Sequence, residues 1–191
     1  MQSIDLVIDQ ERIEYVKNNI KSYPDEERCN FLKTRPWWKN DNNILNTYLS
    51  SIIKGSYLVS VPGDEGNCTN LISLKNILIR IPKQNEIKMI EMEQSQCHDN
   101  CMSLLAIRKA KEQHSGYALS DDGLWRHHSW CIDDDGNIIE TTKIRLIYIT
   151  STITDQKSVI DMFKDNPMFK ILNNMMHNNQ KNKQKKSGKR K

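Results

Sequence analysis

The chain has 191 residues, 37% of them hydrophobic, which allows one core of ordinary size, and no apolar run approaches the roughly 18 residues of a membrane-spanning helix. The formal net charge of +4 is uneven: Lys181, Lys183, Lys185, Lys186, Lys189, Arg190 and Lys191 make a basic tail and leave about −3 on the rest. Five cysteines (Cys29, Cys68, Cys97, Cys101 and Cys131) without even spacing argue against a secreted disulfide framework, and no N-terminal stretch has the form of a signal peptide, so the expected setting is a reducing intracellular compartment: the cytoplasm, with the nucleus or a virion open.

Residues 1–55 read as a helical N-terminal region. Asp9 can cap a helix bearing Ile13, Val16 and Ile20 at helical spacing. Pro24 suits the first turn of a second helix with Cys29 and Leu32, and Pro36-Trp37-Trp38 breaks the pattern. The Trp pair can stack on a ligand or pack under a helix. Asp41 opens a third helix whose broad face holds Ile44, Leu45, Tyr48, Leu49, Ile52 and Ile53, stopped by Gly55.

Residues 56–172 change to a mixed pattern. Strands are expected over 56–61, 76–81 and 86–92, with a polar loop over 63–70 that contains Cys68. A helix is expected from Cys97 to Gln113, carrying Cys97, Cys101, Leu104, Leu105 and Arg108 at steps of three and four, with Gly116 available as its left-handed cap. Short strands follow at 117–119, 125–132, 137–142 and 145–150. Thr154 caps a last helix with Val159, Ile160 and Phe163, stopped near Pro167. Residues 173–191 are Asn, Gln and Lys without hydrophobic period, so disorder is expected. The fold class is α+β: a helical N-terminal region, a helix packed on an antiparallel sheet, and a basic tail.

The stretch from Cys97 to Thr142 carries the chemistry. Cys97 opens its helix, where free backbone N–H groups and the helix dipole favour a thiolate. His128 is the candidate base and Glu140 the acid that orients it; Gln94 or Gln96 can supply an oxyanion donor beside the Cys97 N–H. Strand alternation puts His128, Trp130 and Ile132 on one face and His127, Ser129 and Cys131 on the other. Whether Glu140 meets His128 depends on the hairpin: a three-residue turn at 133–135 sets them directly opposite, whereas a two-residue turn at 135–136 sets Glu140 opposite Cys131.

The run His128-Ser129-Trp130 followed by Glu140-Thr141-Thr142 resembles the His-x-Trp and Asp-x-Thr pattern of transglutaminase-like thiol enzymes. In them a cysteine opens a helix about thirty residues before the histidine, and the Cys, His, acid order is shared with the wider papain-like group. The resemblance covers about residues 94–150. It implies an acyl-transfer site in which Cys97 matches the nucleophile, His128 the base and Glu140 the acid, and its His-x-Trp match picks His128 over His127. It also makes Trp130 a candidate for positioning substrate. The departure is Glu140 where the family has Asp; the longer side chain needs a different strand register. Gln96 to Asn100, with 116–120 and Leu124-Trp125, also resembles small proteins of phages and large viruses.

The function expected is cysteine-dependent hydrolysis or transfer at an amide or ester of a protein or peptide, without a cofactor. Two alternatives stand. Zinc can be held by Cys97, Cys101 and His128 plus one more ligand; His127 and Cys131, about 13 Å apart along a strand, cannot share an ion. Alternatively, residues 181–191 can bind nucleic acid through phosphate.

Overall fold

Aspartates open three of the five described helices. Asp9 accepts from the Glu11 N–H at the start of α1 (Gln10–Asn19), and Asp25 caps α2 (Glu26–Lys33) by accepting from the Arg28 N–H, which leaves Pro24 before the cap rather than in the first turn. Helix α3 spans Asn40–Ile52, α4 Cys97–Ala106 and α5 Gln156–Phe163. The cap of α5 is Asp155, one residue beyond the expected Thr154, accepting from the Ser158 N–H at 2.7 Å. This computed structural model describes residues 9–35, 38, 40–59, 78–165 and 167. Trp37, Cys68 and the basic tail lie outside the described residues, and among those described no helix is long and apolar enough to cross a membrane.

Helix α4 is shorter than its periodicity predicts. It ends in a Schellman turn: Arg108 N–H bonds Leu105 O, Lys109 N–H bonds Leu104 O, and Arg108 itself takes a left-handed φ of 58°. Gly116 is therefore no helix cap. It lies inside a long strand, β4 (Glu112–Leu119), where the expectation had only 117–119.

Seven strands among the described residues form one sheet. They are β1 (Tyr57–Val59), β2 (Leu78–Arg80), β3 (Ile87–Met89), β4, β5 (Leu124–Ile132), β6 (Ile138–Glu140) and β7 (Ile147–Asp155). The order is β2-β7-β4-β5-β6-β3, and β1 lies parallel to the first residues of β5. The centre is antiparallel; β1 and β3 are the parallel additions. The sheet curls, so that Arg80 at one edge donates to Gly136 O in the β5–β6 turn at 3.0 Å.

Alternation sorts the side chains onto two faces. On the outer face, α1 and α3 pack Ile13, Val16, Leu45, Leu49 and Ile53 against Tyr117, Leu119, Trp125, Ile147 and Ile149. Further along the same face, α4 sets Cys101, Leu104 and Leu105 against Cys131 and Ile139, with Val159 of α5 beside them. The inner face holds Ala118, Trp130, Ile132, Ile138 and Tyr148. Trp38 stacks on Tyr57, ring centroids 5.6 Å apart, so this half of the tryptophan pair packs within the protein.

Candidate active site

Strand β5 is flanked on one edge by β1 as far as Arg126 and by β6 only from Cys131 onward. Between them the described strands leave β5 unpaired on that side, and α4 starts there. The Ser129 backbone N–H, which points out of this gap, bonds the Cys97 sulfur. A helix start is thus set into an opening of the sheet edge. The turn before it is tight: Ser95 adopts a φ of 62°, unusual for a residue with a side chain. Asn100, one turn into α4 and 4% exposed, fixes this entry by donating to Glu93 O at 2.7 Å and lying 3.5 Å from Thr141 Oγ1.

The hairpin register differs from both expected ones. Cys131 pairs with Ile139 and Ile132 with Ile138, which sets Glu140 opposite Trp130. The turn runs through Asp133–Asn137 with Gly136 at a φ of 83°. This register keeps Glu140 on the inner face with His128, one diagonal step away, and the extra methylene of a glutamate covers the diagonal. His128 Nε2 and Glu140 Oε1 are 2.7 Å apart. With Nε2 engaged, Nδ1 is the nitrogen left for Cys97, which hydrogen-bonds His128.

His128 is 2% exposed and Glu140 0%, whereas Cys97 is half-buried. Burial by itself raises the Cys97 thiol, but the His128 hydrogen bond and charge and the Ser129 N–H outweigh it, and Cys97 ends below the ordinary thiol range. Burial likewise pushes the His128 imidazole down, and its bonds to Cys97 and Glu140 reverse that, leaving it above its ordinary value. Both directions favour a thiolate beside an imidazolium. His127 lies on the other face, edge-on to Tyr117.

Trp130 is fully buried and packs beside His128, centroids 6.2 Å apart and 24° between planes, and edge-on to Tyr148 at 5.0 Å. It braces the imidazole from within. Gln94 and Gln96 are exposed; Gln94 Nε2 lies 3.4 Å from Thr142 O, and the Gln96 side chain makes no cap bond to α4. Cys101 is buried against Cys131, whose sulfur faces Cys101 O at 3.8 Å; its side-chain bond with the Cys131 thiol first, and burial second, raise its own thiol. Among the described residues no three His, Cys, Asp or Glu side chains are arranged to hold a metal ion.

No protein-family model, curated protein or solved structure matches the chain. The site therefore stands on its own geometry.

Sequence reasoning passed over four residues here. Asn100 had a signal, a polar residue on the buried face of a helix. Ser129 acts through its backbone, which no side-chain pattern reveals. Tyr148 lies beside Glu140 on the inner face, its hydroxyl accepting from the Arg145 N–H at 3.0 Å; burial first, and then the Glu140 charge, push the phenol well up. Arg145 sits in the loop before β7, and nothing in its neighbourhood in sequence marks it.

Proposed function

We propose that this protein is a thiol-dependent acyl-transfer enzyme or hydrolase with a transglutaminase- or papain-like core, acting on an amide or ester of a protein or peptide. The observation that carries the reading is the continuous relay from Cys97 at a helix start, through His128, to the buried Glu140. The first-turn N–H groups of α4, left without a side-chain cap by Gln96, offer an oxyanion site next to the sulfur.

The steps balance with these groups alone. The Cys97 thiolate forms a C–S bond to the substrate carbonyl, whose π electrons move to oxygen. Collapse breaks the bond to the amine or alcohol, which leaves with the proton from His128. Water or an amine then attacks the thioester, returns a proton to His128 and releases the Cys97 thiolate. Glu140 keeps the ring oriented and stabilises its charged form.

The test is alkylation by iodoacetamide across pH, with the labelled cysteine located by mass spectrometry, in wild type, Cys97→Ala and His128→Ala. Cys29, also half-buried and free, is the internal reference. Fast labelling of Cys97 well below pH 8, slowed by at least about tenfold in His128→Ala, is the expected result. Labelling of Cys97 no faster than that of Cys29 would end the enzyme reading.

A further inference from the structure

Four cations surround the end of β5 that lies before His128, and three of them have carboxylate partners. Arg126 shares the His128 face and binds Asp122 through both Nη1 and Nη2, at 2.8 and 2.6 Å. Lys143 and Lys21 both bind Asp121, at 2.7 and 2.9 Å. Arg145 differs. Its only side-chain hydrogen bond among the described residues is Nη1 to the neutral Ser120 Oγ at 2.6 Å, and its Nε is buried without a partner. The guanidinium is partly buried, and the charges of Glu140, Arg126 and Cys97 all act on it. A guanidinium presents five donors in a planar fork suited to a carboxylate. Among the described residues most of that capacity is unused.

We propose that Arg145 is a substrate-recognising residue that selects acyl substrates bearing a carboxylate about two residues from the scissile carbonyl. The inference rests on the thiol-enzyme reading above and adds the substrate class. Spacing sets the distance. Ser120, which holds the guanidinium, bonds to Leu124, and His128 lies four residues further along β5, about 13 Å at the usual strand rise. Two extended residues plus a hydrogen bond reach about 10 Å, and the C–S bond to Cys97 and the breadth of the guanidinium cover the rest. The carboxylate would take the remaining donors of Arg145, while Arg126 and Lys143 stay tied to Asp122 and Asp121 and add attraction only at longer range.

The experiment needs no known substrate. Cys97 is alkylated with N-iodoacetyl-glycine and N-iodoacetyl-glycylglycine, each against its own carboxamide, in wild type, Arg145→Gln and Arg145→Lys. The α-amide of N-iodoacetyl-aspartate places the same group on a side chain, and preference for it or for the terminal acids counts equally as support. The quantity read is the acid-to-amide rate ratio at Cys97, divided by that ratio at Cys29. It is expected at about tenfold in wild type for at least one probe, the size of a charge-assisted contact. It should fall about fivefold or more in Arg145→Gln, and Arg145→Lys should keep at least half of it. A wild-type ratio near one, or a ratio unchanged in Arg145→Gln, overturns the proposal, since an arginine that only balances Glu140 would leave the ratio alone. If even the carboxamides label Cys97 no faster than Cys29, the thiol-enzyme reading falls and the inference with it. Fast labelling with an indifferent ratio overturns the inference alone.

Discussion

Glu140 joins a strong contact to an unfavourable one. One oxygen holds His128 at 2.7 Å; the other, Oε2, is buried with the Tyr148 phenol nearby and makes no close hydrogen bond among the described residues. A wholly buried carboxylate of this kind costs stability while it raises the imidazole. Glu140→Gln is expected to separate the two effects. The amide keeps the shape but removes the charge, and a donor facing Nε2 favours the ring tautomer that carries its proton on Nδ1, the wrong side for taking one from sulfur. Cys97 alkylation at pH 6 should drop about tenfold or more, while Tm holds or rises by a few degrees; a fall in both would mean that the carboxylate is structural. The pH dependence of stability follows from the same pair. The thiol is held below its ordinary 9.0, so its contribution is present above that value and lost as pH falls through the folded one. The imidazole is held above its ordinary 6.5, so its contribution is present below that value and lost as pH rises. Each depends on the other's charge. The Tm difference between wild type and Cys97→Ser is therefore expected to peak between pH 6.5 and 9.0 and shrink on both sides; a monotonic dependence counts against the ion pair.

At the scale of elements, two backbone positions decide how the relay is held. Strand β4 bulges against β7 between Ser115 and Gly116, where a Cβ on Gly116 would lie 2.0 Å from Ile149 O and 2.9 Å from Ser151 N. Both are main-chain atoms and cannot step aside cheaply. Gly116 pairs with His128 on its other side, so any shift reaches the imidazole. Gly116→Ala is expected to cost about 3 kcal/mol or more in urea unfolding and to slow Cys97 labelling. Arg108 is the opposite case: exposed, left-handed and not a glycine. Arg108→Gly should relieve about 1 kcal/mol and raise Tm by roughly 2–4 °C. These two residues also explain what the sequence could not disclose. Glycine is the usual sign of a left-handed helix end, so Gly116 drew the end of α4 seven residues too far, from Ala106 to Gln113, while the true cap is an arginine that no composition rule selects. The aspartate cap Asp9 was readable because a short acceptor before a helical period has few other uses, whereas Asp25 was passed over beside Pro24. That Cys97, His128 and Glu140 come together was readable from residue types and order. The diagonal between His128 and Glu140 was not, because register depends on the turn, and a run of three aspartates and a glycine admits several.

For the whole molecule, the question is whether the first fifty-five residues are a separate lobe or part of the body. Their apolar side chains are in the same cluster as the sheet: Val16, Leu45, Leu49 and Ile53 are all at 0% exposure against Trp125 and Ile149. Polar ties reinforce the seam. Ser56 Oγ, which accepts from Trp125 Nε1 at 2.8 Å, donates to Ile53 O at 2.7 Å; the Leu58 N–H donates to Asn46 Oδ1 at 2.8 Å, and the Lys21 N–H to Asp121 O at 2.7 Å. These helices cover the outer face, whereas Glu140 and the His128 ring are on the inner one, so their removal acts on the site only by unfolding the sheet that carries it. Deleting residues 1–55 would strip the outer face from β4, β5 and β7 together and leave an apolar surface far larger than a soluble monomer tolerates. The expected outcome is a fragment without a cooperative transition, and a full-length protein whose tryptophan fluorescence and far-UV circular dichroism give coincident urea curves. Within the intact chain, Leu49→Ala should cost about 2–5 kcal/mol and lower both curves together. A fragment 56–191 that unfolds cooperatively near the full-length midpoint, or a Leu49→Ala protein whose two curves separate, would show the helices to be an independent lobe, and Cys97 labelling in that fragment would then report whether the relay survives without them.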